Sequence, residues 1–260
     1  FAREVRVVAA LQHPNIVPLF KAGEAAGLPY YVMPYVRGES LRARLTRAGR
    51  LPLADALAIL RDVVRALAFA HEQGVVHRDV KPENVLLAGD PSTGSGQAAA
   101  VVTDFGIAKA VVAAADRGAE PTGRDEGATD LRTLSAIGTT IGTPAYMAPE
   151  QATGDPHVDH RADIYAFGVM AYELLAGAHP FADHATPQEL LAAHLGETPT
   201  PLARRVPGLS ATLTTLVMRC LEKDRARRPQ AANEILDALS TVGTPPPGGR
   251  AAAWRGRGRA

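Results

Sequence analysis

An α+β fold is predicted, with short strands near the amino end and a long helical part after them, and three observations predict it. Two runs rich in β-forming residues, Ile16 to Phe20 and Tyr30 to Val36, come early. From Leu53 onward most apolar residues recur at three and four positions, the spacing of one helical face. Asp159 to Gly177, with Ile164, Phe167, Met170, Leu174 and Leu175, is apolar nearly all round, as a helix at a domain centre should be. At 260 residues and 46% hydrophobic content the chain has room for one large domain or two lobes around a real core.

Composition narrows the function classes. The formal charge of +1 becomes −3 once the four tail arginines, Arg250, Arg255, Arg257 and Arg259, are set aside. Such a body offers no electrostatic case for nucleic acid. The single cysteine, Cys220, lies in the apolar helical pattern Leu216 to Leu221 and reads as a buried structural thiol. Cysteine poverty fits a reducing, cytoplasmic setting. No run of about 18 apolar residues occurs, so no membrane segment is predicted in this chain.

Taken in order, the chain opens with apolar Phe1, Val5, Val8 and Leu11, one face of a short helix, with Glu4 off that stripe. The two strands follow, separated by Gly23 and Gly27. Pro34 has no N–H for a ladder and is expected at a strand end. Ser40 to Ala48 reads as a helix capped by Ser40. Leu53 to Gln73 reads as a longer one with Leu57, Leu60, Val64, Leu67 and Ala68 on one face and Gly74 ending it. His71, near its C-terminus, reads as structural. Val85-Leu86-Leu87 and Val101-Val102 are short strands around an Ala/Gly/Ser-rich insertion at 88–100. Helices are expected at about 186–196, 209–221 and 230–240. The Pro/Gly-rich stretch after Ser240 reads as a linker.

The chemistry concentrates in His77-Arg78-Asp79-Val80-Lys81-Pro82-Glu83-Asn84 and in Asp104-Phe105-Gly106, twenty residues past Asn84. Two acids and an amide at this spacing suit metal and phosphate chemistry. Asp155, His157, Asp159 and His160 do not read as a metal site, since no cysteine or further spaced ligand supports one. Glu83 reads as a surface carboxylate. The loop at 107–141 is long enough for a compact domain to imply a function.

With Gly142-Thr143-Pro144-Ala145-Tyr146-Met147-Ala148-Pro149-Glu150 and Arg228-Pro229, these motifs resemble those of eukaryotic-type protein kinases, in the serine/threonine branch found in bacteria. The resemblance implies a two-lobed fold. A partial β-rich small lobe at 1–36 holds the regulatory helix, two strands and hinge; a mainly helical large lobe spans 37–241 with an activation segment at 104–150; a Pro/Gly/Arg-rich tail spans 242–260. It implies ATP with Mg²⁺ or Mn²⁺ as cofactors, and protein serine or threonine hydroxyls as acceptors. By the same resemblance Asp79 takes the acceptor hydroxyl's hydrogen bond, Lys81 reaches the γ-phosphate, and Asn84 and Asp104 hold the metal. Met33 is the gatekeeper, the Pro34 carbonyl and Val36 N–H meet adenine, Leu86 lies under it, and Glu4 pairs with a strand lysine. His77, Phe105, Leu19 and Val8 stack above Asp163, which holds the catalytic-loop backbone, and Glu150 pairs with Arg228.

Arg78 before Asp79 implies control by a phosphate on the activation segment, with Lys109 as a second cation. Counting back from Gly142, Thr139 takes the acceptor position, with Thr140, Ser135 and Thr133 as alternatives; Thr143 is expected to bond Asp79 and Lys81. A second copy of the kinase is a candidate partner, phosphorylating in trans. The family's glycine-rich loop and strand lysine precede the regulatory helix, yet this chain starts at Phe1 in a helical pattern and has no lysine before Lys21, which reads as a cut. Each missing charge-assisted contact is worth about 1.5–3 kcal/mol, so weak ATP binding and poor turnover are expected of the chain as given. A pseudokinase scaffold is the alternative, though Asp79, Lys81, Asn84 and Asp104 are all intact. A kinase-like small-molecule phosphotransferase is a third reading, against which stand the 142–150 segment and Arg228.

Overall fold

In a computed structural model of the chain, residues 10–25, 28–89, 99–105, 144–184 and 186–242 are described. Glu4 and Val8 of the expected first helix, Lys109, Thr139, Thr140, Thr143 and the tail from 243 lie outside them.

Strands β1 (Lys21–Ala25) and β2 (Leu28–Val32) form an antiparallel hairpin with Lys21 opposite Val32 and Gly23 opposite Tyr30. This corrects the strands expected at Ile16 to Phe20 and Tyr30 to Val36. Pro18 cannot donate to a ladder, and Ile16 and Leu19 are drawn into the core. Pairing therefore begins at Phe20, whose N–H donates to the Val32 carbonyl at 2.8 Å. Pro34 lies beyond β2, as its missing N–H requires. Gly23 is a ladder residue and not a turn: a Cβ there would meet the Tyr30 ring at 2.9 Å.

Residues 15–17 cross to a second sheet. The Val17 N–H donates to the Val102 carbonyl (2.9 Å), the Val102 N–H to the Asn15 carbonyl (2.8 Å), and Asn15 Nδ2 to the Ala100 carbonyl (2.8 Å). That sheet is antiparallel, in the order β3 (Gly38–Ser40), β4 (Val85–Ala88), β5 (Ala99–Val102). The expected strand residues at 85–87 and 101–102 are in it.

Helix α1 (Leu41–Ala48) starts where Ser40 Oγ accepts the Ala43 N–H at 3.2 Å, the expected cap. Helix α2 (Leu53–Glu72) buries Leu57, Leu60, Val64 and Leu67. After the short α3 (Pro149–Ala152) comes α4 (Arg161–Ala176), buried on nearly every face, including Ile164, Phe167, Met170 and Leu174. It begins two residues later than expected because Asp159 Oδ1 accepts the Arg161 N–H at 2.9 Å. Then follow α5 (Pro187–Gly196), α6 (Leu202–Arg205), α7 (Ala211–Cys220) and α8 (Ala232–Thr241). The two short helices, α3 and α6, are absent from the sequence expectation.

Helix α4 is the axis of the apolar core, with α2 and α7 against it. Gly168 brings α7 close, since a Cβ there would lie 2.6 Å from Cys220 Cβ. Burial pushes the Cys220 thiol up to about 12, which fits the structural role expected of it. Among the described residues no helix is long and apolar enough to cross a membrane.

Candidate active site

The site is built on a buried carboxylate. Asp163, in the first turn of α4, is 1% exposed. Its Oδ1 accepts the Arg78 N–H (2.7 Å), and its Oδ2 accepts the His77 N–H and the His71 Nε2–H (both 2.8 Å). A carboxylate among apolar neighbours needs such donors, and here two of them fix the loop between α2 and β4. His71 is thus structural, though through Asp163 and not simply as a helix-end cation. The anchoring holds Arg78 at φ 67, a conformation costing a non-glycine residue roughly 1–3 kcal/mol. Among the described residues the one other positive-φ non-glycine is Asp104, at φ 61. Both are residues singled out for function.

His77 is fully buried and links the loop to β5. Its Nε2–H donates to the Thr103 carbonyl (2.9 Å), its Nδ1 accepts the Asp79 N–H (3.2 Å), and its ring lies 4.5 Å from that of Phe105. Leu19 is also buried.

Asp79 is the focus of the polar cluster. Lys81 Nζ lies 2.7 Å from its Oδ2, and Asn84 Nδ2 donates to the same oxygen (3.0 Å) and to the Asp79 carbonyl (2.8 Å). The 3₁₀ turn Pro82–Asn84 sets that reach, and the Asn84 carbonyl then accepts the Thr103 N–H at 2.9 Å, bringing Asp104 alongside. With Asn84 Nδ2 turned to Asp79, its Oδ1 remains a hard oxygen donor, and the Asp104 carboxylate follows Thr103, which is bonded to the Asn84 carbonyl. These two donors fit a divalent metal that completes its shell with phosphate and water oxygens. They would not suffice as a cage on their own: among the described residues no cluster of three or more His, Cys, Asp or Glu could hold an ion. In the 155–160 group Asp155 pairs with Arg225 (3.2 Å) and Asp159 with Arg161 (2.7 Å).

Residues 33–37 join β2 to β3. Met33 is half-buried, its sulfur accepting the Thr103 hydroxyl at 3.7 Å, so the expected gatekeeper stands directly beside the residue before Asp104. Among the described residues neither the Pro34 carbonyl nor the Val36 N–H has a backbone partner. Leu86 of β4 is half-buried between Ser40 and Val101.

Several residues here were not singled out from sequence. Tyr31 reaches from β2 to Asp104 Oδ1 at 3.5 Å, and burial, then Asp104, raises its pKa. Arg42 of α1 bonds Glu83 (2.9 Å), Glu173 of α4 (2.7 Å) and the Tyr146 hydroxyl, which itself donates to Glu173. Glu83 is therefore exposed but paired. Gln151 Nε2 donates to the Arg78 carbonyl at 3.0 Å, tying α3 to the loop that carries Asp79. A cavity of about 250 Å³ opens beside Arg78, lined also by Gln151, Gly154, Asp155, Pro156 and Val158.

Glu150 and Arg228 form the expected pair, bidentate at 2.6 and 2.8 Å and buried. The remaining guanidinium N–H groups donate to the carbonyls of Glu222 (2.8 Å), Arg161 (2.9 Å) and Lys223 (3.0 Å).

Two lobes of strands and helices meeting at an Asp-Lys-Asn loop and an Asp-Phe pair are the architecture of a protein kinase. The protein kinase domain family model matches residues 1–238, and the chain belongs to that family. It is 41% identical over 244 residues to the serine/threonine-protein kinase pkn2 of Myxococcus xanthus, covering 93% of this chain and 27% of that protein. It is 38% identical over 252 residues to the serine/threonine-protein kinase PknB of Mycobacterium leprae, covering 95% and 36%. A probable serine/threonine-protein kinase of Clostridium acetobutylicum is 34% identical over 242 residues, covering 93% and 33%. The chain thus spans about a third of the length of these relatives.

Proposed function

We propose that this chain is the catalytic part of a bacterial serine/threonine protein kinase that transfers the γ-phosphate of ATP to serine or threonine hydroxyls of proteins. The observation that carries the reading is Asp79 in contact with both Lys81 and Asn84, with Asp104 brought alongside through Thr103. In this reading Asp79 orients the acceptor hydroxyl and takes up its proton, while Lys81 steadies Asp79 and faces the transferring group. Asn84 and Asp104 would hold Mg²⁺, which neutralises phosphate charge when bound with ATP. The 33–36 connector, with Met33, Pro34 and Val36, and Leu86 would hold the base.

The test uses the full-length protein with radiolabelled ATP, a generic acceptor protein and phosphoamino-acid analysis. Label on serine or threonine is expected, and Asp79→Asn should lower it by at least a hundredfold. Label that persists in Asp79→Asn would remove Asp79 from its role.

Control through Arg78 is part of the same reading. Its side chain is exposed beside a cavity and pairs with no carboxylate among the described residues, which suits it to bind a phosphate. Phospho-Thr139, held by Arg78 and Lys109, is the proposed activator, with Thr140 next in line and Thr143 bonding Asp79 and Lys81. A second copy acting in trans would supply the phosphate. Thr139→Ala should cut turnover of the full-length kinase about tenfold or more; unchanged autophosphorylation and turnover would rule Thr139 out. A cytoplasmic setting for this domain agrees with its single, buried cysteine.

A further inference from the structure

The 3₁₀ turn Pro144–Tyr146 has no sheet ladder to hold it, and Pro144 brings no N–H. Its middle carbonyl, that of Ala145, is instead gripped by two histidines distant in sequence. His179, just past α4, donates Nε2–H to it at 2.7 Å, and His194 of α5 donates Nε2–H at 2.9 Å. Both lone-pair directions of one oxygen are thereby used. The partners of the other ring nitrogens fix both tautomers: His179 Nδ1 accepts the Phe181 N–H (3.1 Å), and His194 Nδ1 accepts the Tyr165 hydroxyl (2.9 Å). Tyr165 in turn accepts from Lys223 Nζ at 3.2 Å, which also donates to the Ala193 carbonyl at 3.0 Å.

The next residue is held from the opposite side. Arg42 donates to the Tyr146 hydroxyl, which donates to Glu173, and the Tyr146 ring meets that of His179 edge-on at 5.7 Å. Neither histidine touches Asp79, Lys81, Asn84 or Asp104. What they do control is the height and tilt of a turn three residues before α3, and α3 is bonded through Gln151 to the Arg78 carbonyl next to Asp79.

We propose that His179 and His194 are positioning residues for the polypeptide acceptor. By pinning the Ala145 carbonyl they set the face of the 144–146 turn against which the acceptor's chain lies, and so the approach of its hydroxyl to Asp79. This rests on the kinase reading above. Neither ring bonds Met33, Pro34, Val36 or Leu86, so their effect should fall on the polypeptide and not on ATP.

The test compares His179→Phe and His194→Phe with His179→Gln and His194→Gln in the full-length kinase. Phenylalanine keeps a ring and removes the donor, whereas glutamine puts an amide N–H near the former Nε2. The readouts are KM for myelin basic protein, KM for ATP and the melting temperature. The phenylalanine variants should raise the acceptor KM roughly tenfold, leave the ATP KM within about twofold, and be rescued by glutamine. His179→Phe, at the half-buried position, decides the matter if His194→Phe does not fold. An unchanged acceptor KM, or both KM values rising together with a lowered melting temperature, would overturn the inference. A wild-type protein that labels no acceptor would instead take down the kinase reading, and this proposal with it.

Discussion

Replacing Arg228 by methionine removes a cation whose five N–H groups are all engaged: two on Glu150 and three on the carbonyls of Arg161, Glu222 and Lys223. Methionine fills much of the volume but donates nothing. Glu150, 9% exposed, is left as a buried carboxylate without its counter-charge, a loss of about 3–5 kcal/mol. That is a large share of the 5–15 kcal/mol that holds a typical domain together. With a urea m-value of about 3 kcal/mol/M for a chain of this size, the midpoint should fall by roughly 1–1.7 M. The pair's net worth is a separate quantity, since two charges were desolvated to form it. Glu150→Leu and the double variant therefore complete a cycle. The double variant should be more stable than the sum of the single losses predicts, by about 2 kcal/mol or more. Additivity within about 0.5 kcal/mol would mean that the two side chains act independently and would refute the reasoning.

Two further outcomes follow from packing and burial. Gly168→Ala gains about 1 kcal/mol in helix propensity but puts a Cβ 2.6 Å from Cys220 Cβ, and overpacking of that kind costs about 1–3 kcal/mol. A net loss is expected in urea unfolding, and a variant as stable as the parent would show that α7 can step aside. Burial, with His179 and Lys223 adding to it, lowers the His194 pKa to about 3. Between about pH 6.5 and 3 the unfolded chain binds a proton there that the native one does not, so stability falls as pH drops through that window. His194 alone contributes about 1.4 kcal/mol per pH unit in the middle of it. Melting temperatures should decline from pH 7 to 5 and decline less in His194→Gln; a flat profile would contradict the assignment.

How much was legible in the sequence depended on whether a residue's partner lies in a recognisable motif. Asp79, Lys81, Asn84 and Asp104 share one octet and one triplet, and Asp163, Glu150 and Arg228 each carry a motif of their own. The β1 strand was misplaced because Ile16 to Phe20 has strand composition, yet Pro18 breaks its donor row and Ile16 and Leu19 are spent on the core. Composition cannot weigh those two demands. The histidines on Ala145 stand 34 and 49 residues from it, and Arg42 reaches Glu173 across 131 positions. No local pattern encodes such meetings, which exist only once α4 and α5 are packed.

Helix α4 has a consequence of its own. Its first residue offers a carbonyl to Arg228, its third holds the 77–78 backbone, its fifth reaches His194 and its thirteenth reaches Tyr146. At about 1.5 Å per residue, Asp163 and Glu173 are some 15 Å apart on one rigid rod. The spacing between the loop that carries Asp79 and the turn proposed to receive the acceptor is thus measured out in helical residues. Adding or deleting a single residue between 163 and 173 would swing Glu173 by about 100° around the axis and leave Tyr146 facing the wrong side chain. Variation among such chains should therefore come as substitutions along this rod, with changes in length confined to the loops at its two ends.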